Sequence, residues 1–338
     1  MININQKLNT SELQLITNII NLNQTQLMKF LGEYLSKKYD KVHKTNKYII
    51  ALGDIPVGLV AHLDTVHPFR NIKKEIFYDS TQGVLWSPDG LGADDRAGVY
   101  AIIKIIETGR RPTIIFTTDE EIGGLGATQV AKDFPNIIDE NLKYLIELDR
   151  RGSIDCVFYE CGNQKFIDYV EKFGFASQWG TYTDICEICP AWEIAGVNLS
   201  IGYEHEHSYA EFLRISWLNT TIHKVINMLD DAKNIDRFEY IKYSRYAWYD
   251  STYDYSGITY RCKACGHMFN AVDVVDVKQK DGSKVFYCLD CLDGGIGWCD
   301  TCDSLYVLSE GDRNAHMCAS CKAKKEKELK NGNNKKAV

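Results

Sequence analysis

Leu91-Gly92-Ala93-Asp94-Asp95-Arg96-Ala97-Gly98 joins a turn-rich loop (Ser87, Pro88, Asp89, Gly90) to the apolar helical run Val99-Tyr100-Ala101-Ile102-Ile103-Lys104-Ile105-Ile106. Two carboxylates at a helix start have an ordinary explanation, since the helix dipole favours negative charge there. Its neighbours weaken that explanation. Ala61-His62-Leu63-Asp64 precedes the stretch, while Thr118-Asp119-Glu120-Glu121 and Glu147-Leu148-Asp149 follow it, each where an apolar strand ends.

Working outward, the flanking sequence alternates between strand and helix patterns. Val57 to Ala61 is a short apolar run bounded by turn residues, suited to a buried central strand. Helix 95–107, strand 113–117, helix 126–134 and strand 144–148 come next. Cys156 to Tyr159 reads as a strand, Lys165 to Phe173 as a helix, Val197 to Ile201 as a strand and Leu213 to Leu229 as an amphipathic helix. Upstream, residues 10–39 predict two helices, with Ser11 as the first cap, and Lys47 to Asp54 a strand. This alternation predicts an α/β class fold: a three-layer α/β/α sandwich on a mainly parallel central sheet. Ligands in such sheets sit beyond the carboxyl ends of the strands, where all the polar clusters fall.

The composition fits a folded chain. Of 338 residues, 45% are hydrophobic and 25% charged, which are globular values. The net charge of −7 argues against a general nucleic-acid binder. The start Met-Ile-Asn-Ile-Asn-Gln lacks a basic region before an apolar core, and no apolar run approaches the roughly 20 residues of a membrane span. The expectation is a soluble, cytoplasmic protein with no membrane partner.

The strand ends carry metal-binding residue types. His62 and Asp64 alternate along an extended stretch, so both side chains point to one side. A metal-binding imidazole usually has its orientation fixed by a carboxylate or carbonyl. Adjacent carboxylates at Glu120 and Glu121 allow one to bind metal while the other accepts a proton from water. Tyr203-Glu204-His205-Glu206-His207-Ser208-Tyr209-Ala210-Glu211 places two histidines after an apolar strand, and a His-x-His stretch can bind one metal or two or face solvent.

In order, His62-x-Asp64, Asp94-Asp95, Glu120-Glu121, Asp149 and His207 resemble the co-catalytic di-zinc exopeptidases, among them peptidase T and the bacterial leucyl aminopeptidases. Gly-Ala-Asp-Asp-Arg-Ala-Gly and Asp-Glu-Glu-Ile-Gly-Gly-Leu-Gly-Ala look especially like the peptidase T branch. The likeness covers about residues 45–230. It implies Asp94 as a ligand bridging two Zn2+ ions, joined to Asp95 by a cis peptide. His62 and Asp149 would complete one site, and Glu121 and His207 the other. Glu120 would be the general base and Asp64 the residue orienting His62. His207 is chosen over His205 because His207-Ser208-x-x-Glu211 looks like the family's His-Ser/Thr-x-x-Glu. Thr183-Asp184 sits where relatives carry a Thr-Asp near the substrate pocket, a weak match. The chain departs from the family in length. Relatives insert a domain between the positions of Asp149 and His207, or of His62 and Asp94, and both spaces are short here. No lid domain is expected.

Of the twelve cysteines, eight form four Cys-x-x-Cys pairs between Cys262 and Cys321. In a reducing compartment this is zinc chemistry. Cys262, Cys265, Cys288 and Cys291 give one tetrahedral four-thiolate zinc site, and Cys299, Cys302, Cys318 and Cys321 a second. Consecutive pairing makes tandem zinc ribbons; an interleaved cross-brace is the alternative. Cys186 and Cys189 read as buried free thiols, with a disulfide or a third metal site as other readings.

The expected organisation is a catalytic domain over 1–232, an aromatic-rich linker over 233–260, zinc ribbons over 261–322 and a Lys-rich tail over 323–338. The expected function is aminopeptidase action on short peptides using two catalytic zincs, with two further structural zincs. The alternatives are a deacylase of N-acyl amino acids or another small amide, and an adapter in which the ribbons bind a protein or nucleic acid. No residue is assigned to substrate binding.

Overall fold

Largely apolar strands of five to eight residues form the centre of an eight-stranded sheet. In the computed structural model, residues 7–67 and 73–242 are described, together with short segments between 259 and 327. The chain divides into two compact units, Met1–Tyr243 and Ser244–Val338.

The first unit begins with helices α1 (Thr10–Asn21) and α2 (Gln24–Leu35). Asn9 caps α1, not Ser11: its side chain accepts from Glu12 N, and Glu12 reaches back to the Asn9 amide. Ser11 instead donates its hydroxyl to Asn9 Oδ1 at 2.7 Å. Asn23 and Gln26 repeat the device on α2.

Strands β1 (Lys41–Lys44), β2 (Tyr48–Leu52), β3 (Ile55–His62), β6 (Pro112–Thr117), β7 (Tyr144–Arg150), β8 (Asp155–Val157), β9 (Ala176–Ser177) and β10 (Gly196–Ser200) make the main sheet. Its order is β1-β2-β6-β3-β7-β10-β8-β9. The four central strands β6, β3, β7 and β10 are parallel, while β1, β2 and β8 join by antiparallel pairing. Helices α3 (Ala93–Glu107), α4 (Leu125–Asp133), α5 (Gln164–Glu171), α6 (Ile185–Ala191) and α7 (Ile215–Asp231) cover the faces.

Strand alternation sorts the core into two layers. Leu59, Ala61, Ile114, Phe116, Ile146 and Leu148 pack with α1, α2, α3, α5 and α7. Val60, Ile115 and Leu145 pack with α4 and α6 on the other face. This is the expected three-layer sandwich, and residues 150–202 run as strands, short helices and loops without an inserted domain. Among the described residues no helix is long and apolar enough to cross a membrane.

A second sheet was not anticipated. β4 (Phe77–Asp79), β5 (Val84–Trp86), β11 (Tyr203–Glu204) and β12 (Phe212–Arg214) form an antiparallel sheet in the order β11-β12-β5-β4. The final helix therefore starts at Ile215, two residues beyond the expected Leu213. Residues 235–242 run back along the first unit: Phe238 packs in its core, and the Phe238 carbonyl accepts from Ala195 N.

Among its described residues the second unit has three antiparallel pairs. They are β13 (Thr259–Arg261) with β14 (Met268–Asn270), β15 (Val274–Lys278) with β16 (Lys284–Cys288), and β17 (Ile296–Trp298) with β18 (Leu305–Val307). Lys263 N donates to the Phe286 carbonyl at 2.8 Å, which sets the segment carrying Cys262 beside the strand that ends at Cys288. Cys262, Cys299 and Cys321 are buried. Cys265, Cys291, Cys302, Cys318 and most of the Lys-rich tail lie outside the described residues, as do the linker tyrosines from Tyr243 to Tyr255.

Candidate metal centre

Parallel strands deliver their terminal side chains to one edge, and there the candidate ligands converge. His62 is the last residue of β3 and fully buried. Asp94 lies beyond Gly92, whose φ of 73° is open to a residue without a Cβ. Asp94 and Asp95 have non-helical backbone angles at the head of α3, and the peptide between them is cis. Asp149 follows the buried part of β7, and Glu120 and Glu121 follow β6.

Asp94 faces both histidines. Its Oδ1 lies 3.0 Å from His62 Nε2 and its Oδ2 lies 3.2 Å from His207 Nε2. Asp149 Oδ1 is 3.5 Å from His62 Nε2, and Glu121 Oε2 is 2.9 Å from His207 Nε2. Two ligand sets result, His62–Asp94–Asp149 and Asp94–Glu121–His207, each with atoms within 4.8 Å of one another. They share Asp94. His205 is in neither set; its ring meets Phe212 edge-on at 5.8 Å.

Surrounding groups aim these side chains. Asp64 Oδ1 lies 3.3 Å from His62 Nδ1, and the same carboxylate accepts the amides of Glu120 and Glu121, both at 3.0 Å. Asp95 accepts from His62 N at 3.3 Å and Gly98 N at 2.9 Å. Asp149 receives the Tyr203 hydroxyl at 3.0 Å and the Thr183 hydroxyl at 3.1 Å. Glu211, buried, accepts from Gly92 N at 2.6 Å, Asp94 N at 3.0 Å and His67 Nε2 at 2.9 Å. Sequence reasoning gave Tyr203 and Glu211 no role. Glu211 closes the His207-Ser208-x-x-Glu211 pattern, but nothing local marks what either residue holds, because their partners lie 54 and 117 to 144 residues away.

The electrostatics describe a site short of positive charge. Burial pushes Glu120 up to about 8, with Asp149, Asp184 and Glu121 adding to it and His62 opposing. Glu121 rises to about 7 through burial and the nearby Asp94. Asp149 is raised by burial and Asp94. Burial alone would lower His62, but Asp149, Asp64 and Asp94 outweigh it and hold the imidazolium well above its usual range. His207 is raised to about 9, chiefly by its bond to Asp94. For Asp94 burial acts upward, yet the two histidines carry it well below the carboxylate range. Behind the centre, Glu147 and Asp184 are fully buried carboxyls raised first by burial. Asp184 takes a short hydrogen bond from the Thr117 hydroxyl.

This donor set fits divalent cations. Nitrogen and carboxylate oxygen are zinc's usual non-sulfur ligands. The buried Glu121 Oε1 has no hydrogen-bond partner among the described residues. Crowded carboxyls that raise one another would be relieved by two dications. Cys186 and Cys189 belong to neither ligand set and are free thiols, half-buried and buried.

No family model matches the chain. No curated protein matches it either. Solved structures do. A tripeptidase from Staphylococcus aureus superposes with a TM-score of 0.54 at 13% identity, covering 68% of this chain and 100% of that one. Aminopeptidase PepT from Bacillus cereus gives 0.53 at 14% identity, covering 66% of this chain and 98% of that one. The chain has the aminopeptidase fold. A TET aminopeptidase from a marine-sediment thaumarchaeon extends the likeness, with a TM-score of 0.51 at 14% identity over 66% of this chain and 98% of that one. In this aminopeptidase fold, the converging carboxylates and histidines lie at the carboxyl ends of the parallel strands.

Proposed function

We propose that the first unit is a zinc-dependent exopeptidase, an aminopeptidase acting on short peptides. The observation that carries the reading is the shared carboxylate: the two oxygens of Asp94 face two different histidines, each backed by its own second carboxylate. The aminopeptidase fold supports it. His62, Asp94 and Asp149 would hold one Zn2+, and Asp94, Glu121 and His207 the other. Such ions, when bound, supply Lewis acidity that acidifies water and polarises an amide carbonyl.

The remaining chemistry belongs to the chain. Glu120 takes the water's proton on its carboxylate and later hands it to the departing amine. Its backbone N–H donates to Asp64 Oδ1, which fixes the main chain while leaving the side chain free. Asp64 fixes the His62 ring, and Tyr203 and Thr183 fix Asp149, so the ligands meet the metals without reorganising. In the second unit, Cys262, Cys265, Cys288 and Cys291 would hold one structural zinc and Cys299, Cys302, Cys318 and Cys321 another, supported by the burial of Cys262, Cys299 and Cys321.

The test is Glu120→Gln assayed on unmodified peptides and, beside them, on N-acyl amino acids. The reading expects release of N-terminal residues by the parent protein and loss of turnover in the variant with zinc still bound. Near-normal turnover in the variant would sink it. Hydrolysis of acylated amino acids alone would make the protein a deacylase.

A further inference from the structure

Asp119, one residue before Glu120, has a φ of 60°, left-handed backbone that side chains other than glycine adopt at a cost. Aspartate tolerates it better than most. Two residues outside the sequence-predicted site hold it there. Gln24, the first residue of α2, donates its Nε2 to Asp119 Oδ1 at 2.9 Å, and Gln24 Oε1 accepts the Asp119 amide at 3.1 Å. Lys47 Nζ lies 2.6 Å from Asp119 Oδ2, and the Lys47 carbonyl accepts both the amide and the hydroxyl of Thr118 at 3.0 Å. Capping of α2 is done by Asn23 and Gln26, so the Gln24 side chain is free to reach across.

We propose that Gln24, together with Lys47, positions the general base: by clamping Asp119 in its left-handed turn, the pair sets the direction in which Glu120 and Glu121 leave β6. This rests on the assignment of Glu120 made above. The loop is held from two sides. Asp64 receives the Glu120 and Glu121 amides at its inner edge, and Gln24 and Lys47 grip Asp119 at its outer edge. Beyond it, Gly123 and Gly124 donate to the Glu120 carbonyl and Leu125 to that of Asp119. If Asp119 relaxes to negative φ, the next peptide plane turns and the Glu120 amide leaves Asp64. Helix α2 and the residue before β2 thus act on the reaction without touching substrate.

Gln24→Glu in the full chain isolates the clamp. It keeps the size and the acceptor for the Asp119 amide, but sets a carboxylate against a carboxylate. The expected result is a kcat lower by about 10- to 100-fold, the scale of an ångström-sized misplacement, with KM little changed. Zinc content should be unchanged, and amide exchange should speed up over residues 118–125. Adding Asp119→Asn restores a donor–acceptor pair and should recover most of the loss. Parent-like kcat and exchange in the single variant would overturn the proposal, as would a loss that the double variant leaves in place. Glu120→Gln run in parallel keeps the two ideas apart. Turnover surviving there refutes the base assignment, while the exchange rates still report the clamp.

Discussion

Replacing Glu211 by glutamine keeps the shape of a buried side chain and removes one of its two acceptor oxygens. Its carboxylate takes hydrogen bonds from Gly92 N, Asp94 N and His67 Nε2, at 2.6, 3.0 and 2.9 Å. Gly92 N and His67 share Oε2, and Asp94 N uses Oε1. A glutamine has one acceptor oxygen, so either orientation turns an NH2 group against a backbone N–H. The lost charged hydrogen bond is worth roughly 1.5–3 kcal/mol and the orphaned buried amide roughly 1–3 kcal/mol. Together these give about 2.5–6 kcal/mol, a large part of the 5–15 kcal/mol that ordinarily holds a domain together. The assay is urea unfolding of the full chain followed by tryptophan fluorescence, with metal chelated in both proteins so that binding linkage cancels. The midpoint of the first unit should fall by about 1 M or more at an m-value near 3 kcal/mol/M. A change below about 1 kcal/mol would refute the reasoning, because an orphaned amide in this site could not be so cheap.

Two further outcomes follow from the same packing. Gly98→Ala puts a Cβ 2.4 Å from both the Leu148 carbonyl and Asp95 Oδ1, so α3 must move off β7; the overpacking cost of about 1–3 kcal/mol or more should exceed the roughly 1 kcal/mol of helix propensity gained. Thermal unfolding should show a lower Tm, and an unchanged Tm would contradict the contact. Tyr203→Phe removes the hydroxyl that Asp149 accepts and should weaken zinc binding at the His62 site by about 10- to 100-fold in competition with a chromophoric chelator. Parent-like affinity would mean that Asp149 needs no help to stay in place.

The central strands were legible because burial on both faces leaves a short apolar run with nothing else to be. Val57 to Ala61 and Tyr144 to Leu148 fall inside β3 and β7, and their polar ends mark the edge where the ligands meet. The second sheet was hidden. Its strands are two or three residues long and pair across the chain, and Phe212–Arg214 merges by periodicity with the helix that follows it. Helix α6 escaped notice because seven residues containing Pro190 carry too few turns to show a period. The ligand residues, and Asp64 beside His62, could be named from their order, whereas Tyr203, Glu211 and Gln24, which steady the rest, could not. Gln24 looks like any helix start, and only the fold brings it to Asp119, 95 residues away.

The claim underlying all of this is that one carboxylate serves two metals. Zinc content per chain, measured on the purified full-length protein and on Asp94→Ala, tests it most directly. The account predicts that the variant loses both ions of the strand-end centre and keeps those bound by cysteine. Loss of one ion, or of none, would contradict a bridge at Asp94.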